Sequence, residues 1–345
     1  MITKIIEENL IQETKSYILN ASDIVIVTHT SPDGDAMGSS LGLAHFLRSI
    51  DKSVTVIVPN SYPKFLKWMP SVARVVNFEE ERERCERVFN EADLIFALDF
   101  NVLTRIGAMA AFVADAKATK ILVDHHLYPG NFADVIISYP NISSTSEMVF
   151  RLICRMGYFT EMSKACAECI YTGMMTDTGA FTYNSNSSEI YSIISELLKK
   201  GVDKDAIYDK VNNNHSLSRF QLLGYALNNK MRVFPEYRTV LITLTKEELE
   251  KFSHRKGDTE GFVNMPLSIE NIVFSAFFTE DAEKVKVSFR SRGNFPANEF
   301  SAKIYGGGGH LNAAGGESYR SMEETVDMFE KALVEYQTML LETKL

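Results

Sequence analysis

Unbroken apolar runs alternate with amphipathic stretches up to about residue 190 of the chain. The runs are DIVIVTH (23–29), SVTVIVP (53–59), DLIFALD (93–99), KILVDHH (120–126) and DVIIS (134–138). Continuous rather than alternating hydrophobicity means that both faces of each strand are covered, which predicts a mainly parallel sheet with helices on both faces. Helical spacing places the intervening elements at 35–49, 78–90, 145–157, 162–174 and 188–200, after an amphipathic N-terminal stretch. Residues 201–230 are helical and more polar, follow a Lys-Lys-Gly stop signal, and read as a connector. Beyond them YRTVLITLT, NIVFSAFFTE and KVKVSFRSRG predict a second, mixed sheet, followed by a glycine cluster at 306–309 and a helix at 322–342. The expected fold class is α/β, with a sheet domain over 1–200, the connector over 201–230 and a smaller α/β domain over 231–345.

Length and composition sharpen this picture. The 345 residues suffice for two domains, each with a core, and 45% hydrophobic with 23% charged residues is ordinary globular composition. No apolar run approaches a membrane span, and the N-terminus mixes Glu and Lys without a signal-peptide core, so no membrane partner is expected. A net charge of -9 argues against long duplex nucleic acid as a partner. It leaves open a small anion held by a local basic pocket or by metal ions. Cys85, Cys154, Cys166 and Cys169 do not make a disulfide framework, and the Cys166–Cys169 pair lies in what reads as a buried helix. A reduced cytoplasmic protein is expected, and a homodimer stays open.

Charged groups cluster at the strand ends. His29, Asp33 and Asp35 follow the first run, Asp99 ends LIFALD, and Asp124, His125 and His126 end ILVDHH. Asp177 follows the apolar end of a helix in GMMTDTGAF. Taken singly, each has an ordinary reading: Asp33 and Asp35 as turn residues around Gly34, Asp99 as a helix N-cap, Asp177 as a cap with Thr178. Ligands in open α/β sheets bind beyond the carboxyl ends of the strands, so the strand-end groups should meet on one rim. So many carboxylates and imidazoles are costly to collect without cations. Two divalent metals would resolve the cost, and the oxygen-rich set with imidazoles favours Mn2+, then Mg2+, over Zn2+. Pro32 and Gly34 would bend the chain so that the two aspartates face different metals. Gly38 and Gly42, one helical turn apart, would let the next helix pack close against the sheet.

The segments HTSPDGDAMGSS, LDF, VDHH and TDTGAF resemble, in order and spacing, the four motifs of the DHH phosphoesterase superfamily. GGGGHLNAAGG (306–316) resembles the signature of its DHH-associated C-terminal domain, and the layout is similar to the nanoRNase A type. That resemblance implies hydrolysis of very short oligoribonucleotides and of 3'-phosphoadenosine 5'-phosphate by metal-activated water. It implies His29 and Asp33 on one metal, Asp35, His125 and Asp177 on the other, and Asp99 bridging. His126 would lie beside the scissile phosphate, and Asp124 would orient an imidazole.

The C-terminal domain is then expected to select substrate. Gly307, Gly308 and Gly309 would free backbone N–H groups for an anion, with His310 at the cluster's edge. Arg290 and Arg292 alternate on a strand, would share one face, and would fork onto phosphate or stack on a base. Together with the metals they would clamp both ends of a short nucleotide. The alternatives are a cyclic or linear di-adenylate phosphodiesterase, an inorganic pyrophosphatase, a single-strand exonuclease and a catalytically silent nucleotide-binding protein. The pyrophosphatases' lysine-rich C-terminal signature is not found here, and an exonuclease channel would require extra length.

Overall fold

The computed structural model describes residues 4–255 and 257–344. It divides into two compact units, Met1–Asn214 and His215–Leu345, so the division falls inside the segment read as a connector.

The first unit is built on six parallel strands: β1 (Asp23–Val27), β2 (Ser53–Val58), β3 (Val76–Asn77), β4 (Leu94–Leu98), β5 (Thr119–Asp124) and β6 (Val135–Ser138). Their order is β3-β2-β1-β4-β5-β6. The chain winds outward from β1 to β2 and then returns to lay β4 on its other side, so β1 and β4 flank a topological switch point. Every residue of β4 is buried, as its unbroken hydrophobicity requires. Only β3, two residues long, lies outside the predicted strands.

Among the described residues, eight α-helices accompany this sheet: α1 (Glu8–Asn20), α2 (Gly34–Ser49), α3 (Arg82–Glu91), α4 (Ala110–Asp115), α5 (Thr145–Arg155), α6 (Lys164–Asp177), α7 (Ser188–Lys199) and α8 (Lys204–Asn212). The glycines of α2 correct an expectation, because they face α6 rather than the sheet. A Cβ on Gly38 would lie 2.7 Å from the Cys169 carbonyl oxygen and 2.8 Å from the Gly173 Cα. A Cβ on Gly34 would strike the Thr176 side chain, so packing rather than a bend demands glycine there. The two helices run antiparallel, with the start of α2 at the end of α6, and this places Asp177 opposite Asp35.

The second unit holds α9 (Leu217–Tyr225), α10 (Lys246–Lys251), α11 (Ala297–Tyr305) and α12 (Met322–Glu342). Its strands are β7 (Met231–Phe234), β8 (Thr239–Leu244), β9 (Phe274–Glu280), β10 (Val285–Ser291), β11 (Gly308–His310) and β12 (Ala313–Ser318), in the order β11-β12-β10-β9-β8-β7. Only β8 and β9 pair in parallel, which makes the sheet mixed. Phe274, Phe278, Phe289, Phe295, Phe300 and Phe329 fill its core.

Candidate metal centre

The first strand delivers His29 and then a tight turn. The Thr30 amide donates to the Arg105 carbonyl oxygen at 2.8 Å, and the Ser31 amide donates to Asn60 Oδ1 at 2.7 Å. Asp33 then caps α2: its Oδ1 accepts from the Asp35 and Ala36 amides, each at 3.0 Å. Capping uses only one oxygen. Asp33 Oδ2 lies 3.8 Å from His29 Nε2.

Asp99 sits at the end of β4, 2% exposed, with a left-handed φ of 65°. Such a conformation is costly for a residue with a Cβ and persists where the surroundings enforce it. Its Oδ2 is 3.5 Å from His29 Nε2, and its Oδ1 is 3.6 Å from His125 Nε2. The same His125 nitrogen lies 3.5 Å from Asp177 Oδ2 and 4.0 Å from Asp35 Oδ2. Both imidazoles are oriented from behind, His29 Nδ1 by the Thr30 carbonyl oxygen at 2.9 Å and His125 Nδ1 by that of Ile142 at 3.2 Å. With Nδ1 donating, Nε2 of each ring keeps its lone pair for a cation. His126 Nδ1 is 2.7 Å from Asp124 Oδ1, while Asp124 Oδ2 is buried without a hydrogen-bond partner.

The start of α5 completes the arrangement, and the sequence reading missed it. The Thr145 amide donates to Asp35 Oδ2 at 2.6 Å and the Ser146 amide to Asp35 Oδ1 at 2.9 Å. The Thr145 hydroxyl donates to Asp99 Oδ1 at 2.9 Å. Ser144 caps this helix, with Glu147 three residues on. That S-x-x-E spacing was the available signal that a positive helix end lies here.

Without a cation these charges distort one another. Burial opposes a charged His29 ring, but Asp33 and Asp99 outweigh it and raise its pKa to about 10. His125 likewise rises to about 9, against burial, through Asp177, Asp99 and Asp35. Burial, offset in part by His125 and reinforced by Asp99 and Asp33, pushes Asp177 up to about 7. Burial and then the Asp99 and Asp177 charges push Asp35 well above the usual carboxylate range. Burial opposes ionisation of Asp99 too, yet the His29 hydrogen bond and the charges of His126 and His29 hold it well below that range.

The donor set therefore fits divalent cations. His29, Asp33 and Asp99 form one group and Asp35, His125 and Asp177 another, with ligand atoms within 4.8 Å of one another in each. All are oxygens or imidazole nitrogens; Cys166 and Cys169 are packed in the buried part of α6.

The substrate residues expected in the second unit are placed as follows. Arg290 lies in β10, half-buried, with Nη1 donating to the Phe289 carbonyl oxygen at 2.9 Å. Arg292 falls one residue past the end of β10, is exposed, and reaches the Leu267 carbonyl oxygen at 3.4 Å. Gly307 leads into β11, in which Gly308, Gly309 and His310 pair with β12 as the edge strand. The glycine cluster thus also has a packing reason: a Cβ on Gly309, at φ 141°, would strike the Ala313 carbonyl oxygen.

Residues 23–174 match the DHH family, N-terminal domain, and residues 240–336 match the DHHA1 domain. A bifunctional oligoribonuclease and PAP phosphatase NrnA of Thermus thermophilus is 32% identical, over 85% of this chain and 83% of its own. The protein of the same name from Bacillus subtilis is 26% identical, over 86% and 89%. The crystal structure of an exopolyphosphatase-related protein from Bacteroides fragilis superposes with a TM-score of 0.96 at 57% identity, covering 99% of this chain and 100% of that one. With both domains matched and the Thermus relative similar along most of its length, the chain belongs to the DHH family of hydrolases.

Proposed function

We propose that the chain hydrolyses phosphoric esters in short oligoribonucleotides and in 3'-phosphoadenosine 5'-phosphate, using two divalent cations, Mn2+ first among them. One observation carries the reading: the two oxygens of Asp99 are directed at His29 and His125, each within a separate histidine–aspartate group. The names of the relatives support it, since two are oligoribonucleases and PAP phosphatases.

His29 and Asp33 would hold one cation, Asp35, His125 and Asp177 the other, and Asp99 both. Bound there, the cations would lower the pKa of water and neutralise phosphoryl oxygens. The remaining work falls to the chain. The α5 amides donate to both oxygens of Asp35 and fix its orientation, and the Thr145 hydroxyl fixes the Asp99 plane. Asp124 accepts from His126 Nδ1, which makes Nε2 the ring nitrogen that meets the substrate. From there the imidazolium form of His126, with both ring nitrogens protonated, donates to a phosphoryl oxygen as negative charge builds on it. In the second unit, Arg290, Arg292, Gly307, Gly308, Gly309 and His310 would contribute the nucleotide contacts. The protein would act on short, compact substrates, in keeping with its acidic charge.

A panel with Mn2+ tests this: RNAs of a few nucleotides, 3'-phosphoadenosine 5'-phosphate, linear and cyclic di-adenylate, pyrophosphate and inorganic polyphosphate. Turnover of the first two, abolished by chelator and restored by Mn2+, is the expected result. Turnover of polyphosphate or pyrophosphate alone would overturn the substrate assignment.

A further inference from the structure

After Asp124 the chain leaves β5 through His125, His126, Leu127, Tyr128, Pro129 and Gly130. Tyr128 is 82% exposed, more than any other large hydrophobic side chain among the described residues. It also adopts a left-handed φ of 59°, which a tyrosine takes up only at a cost. The turn is nevertheless pinned. Asn101 Nδ2 donates to the Leu127 carbonyl oxygen at 2.7 Å and to that of Tyr128 at 3.4 Å. The Gly130 amide donates to the Asn101 carbonyl oxygen at 2.7 Å. Phe132, just beyond, stacks on Phe100 with ring centroids 5.8 Å apart and planes 5° from parallel.

Phe100 and Asn101 follow Asp99 directly. The segment that carries the central carboxylate therefore also clamps the tip that carries Tyr128. Among the described residues, no hydrophobic core cluster includes this tyrosine. Folding gains nothing from holding a bare aromatic ring in a strained, anchored turn, and strain of this kind gathers where a ligand is met. Two residues of chain span at most about 7 Å, so the backbone of Tyr128 lies within about one nucleoside's length of that of His126.

We propose that Tyr128 is the stacking surface for the base of the nucleotide whose phosphate enters the metal centre. The inference rests on the phosphoester-hydrolase reading above and narrows it. It makes the enzyme selective for phosphoesters that carry a base, over inorganic polyphosphates and base-free sugar phosphates. Stacking is tolerant of base identity, because every base offers a π-face.

The test compares 3'-phosphoadenosine 5'-phosphate with the same bisphosphate lacking its base, in the Mn2+-loaded protein and its Tyr128→Ala and Tyr128→Phe variants. Tyr128→Ala should raise KM for the adenosine compound about tenfold while kcat stays within about twofold, and Tyr128→Phe should restore it. The base-free compound should be unaffected by either change. Equal losses on both compounds, or none, would overturn the proposal. Calorimetric titration with adenosine 5'-monophosphate reads the stacking without turnover, and its affinity should fall about tenfold in Tyr128→Ala. If no nucleotide is hydrolysed and this loss is still seen, the substrate assignment fails and the stacking role stands. Unchanged affinity in the Ala variant would remove the stacking role even from an active enzyme.

Discussion

Asp99 Oδ2 lies 3.5 Å from His29 Nε2, while the other oxygen of the same carboxylate accepts from Thr145 and faces His125. One side chain thus joins two groups, each of which has the donors to hold a cation. Asp99→Asn keeps the shape and removes the charge. It should cut kcat by at least about a thousandfold and abolish the rise in Tm expected when Mn2+ is added to the unmutated protein. The metal-free Tm should move by only a few degrees. A variant with normal Mn2+ stabilisation and normal turnover would refute the shared-ligand assignment.

The second prediction concerns protons. In the metal-free protein Asp177 titrates at about 7, His125 at about 9 and His29 at about 10. A cation needs the carboxylate form of Asp177 and the neutral forms of both rings, so binding must expel protons. Below about pH 7 Asp177 and both histidines contribute, and Asp35, held well above the usual carboxylate range, adds to them. Above about pH 7 the share of Asp177 falls away while the histidines still contribute. Protons compete with the metal, so Mn2+ affinity should rise with pH across this whole window. Calorimetry in buffers of different ionisation enthalpy should show net proton release, larger at pH 6 than at pH 8. Proton uptake on binding would contradict the ligand set.

Thr145 is a positioning residue, and its contribution separates by atom. Its amide holds Asp35 and its hydroxyl holds Asp99. Thr145→Val keeps the amide and loses the hydroxyl, leaving a buried Asp99 oxygen short of a donor. Removing such a partner typically costs about 10–100-fold in metal affinity or activity. The expected signature is a weaker Mn2+ Kd and a lower kcat with the substrate KM little changed, and Thr145→Ser should recover most of both. A Thr145→Ser variant no better than Thr145→Val would point to a packing role instead.

The placement of the strand-end groups was legible because an unbroken apolar run that stops at an aspartate or histidine has one physical outcome in a parallel sheet: the polar group lies on the carboxyl rim. Asp177 was legible from its motif but not its cause, since nothing local shows which helix its own helix packs against. Thr145 and Ser146 were missed because they act mostly through backbone amides, which every residue carries. The β11–β12 hairpin was hidden because Gly308–His310 lacks the β-branched and aromatic residues that mark a strand, and close backbone approach there depends on long-range pairing. Arg292 illustrates the limit at boundaries, where a shift of one residue takes it off the strand that Arg290 occupies.

The α2–α6 contact makes the last prediction. Gly38→Ala would place a methyl group 2.7–2.8 Å from backbone atoms of Cys169 and Gly173, and backbone cannot rotate out of the way. Overpacking of this kind costs about 1–3 kcal/mol, so Tm should fall by several degrees. The helices can relieve the clash only by separating, and α6 ends in Asp177. Stability and metal binding should therefore fall together, with the affinity loss confined to the group of Asp35, His125 and Asp177. Gly224, in the other unit, is a fair control, since a Cβ there meets nothing within 4 Å. Gly224→Ala should leave both Mn2+ sites intact. If Gly38→Ala lowered Tm while both Mn2+ sites kept their affinities, α2–α6 packing would not be what positions Asp177.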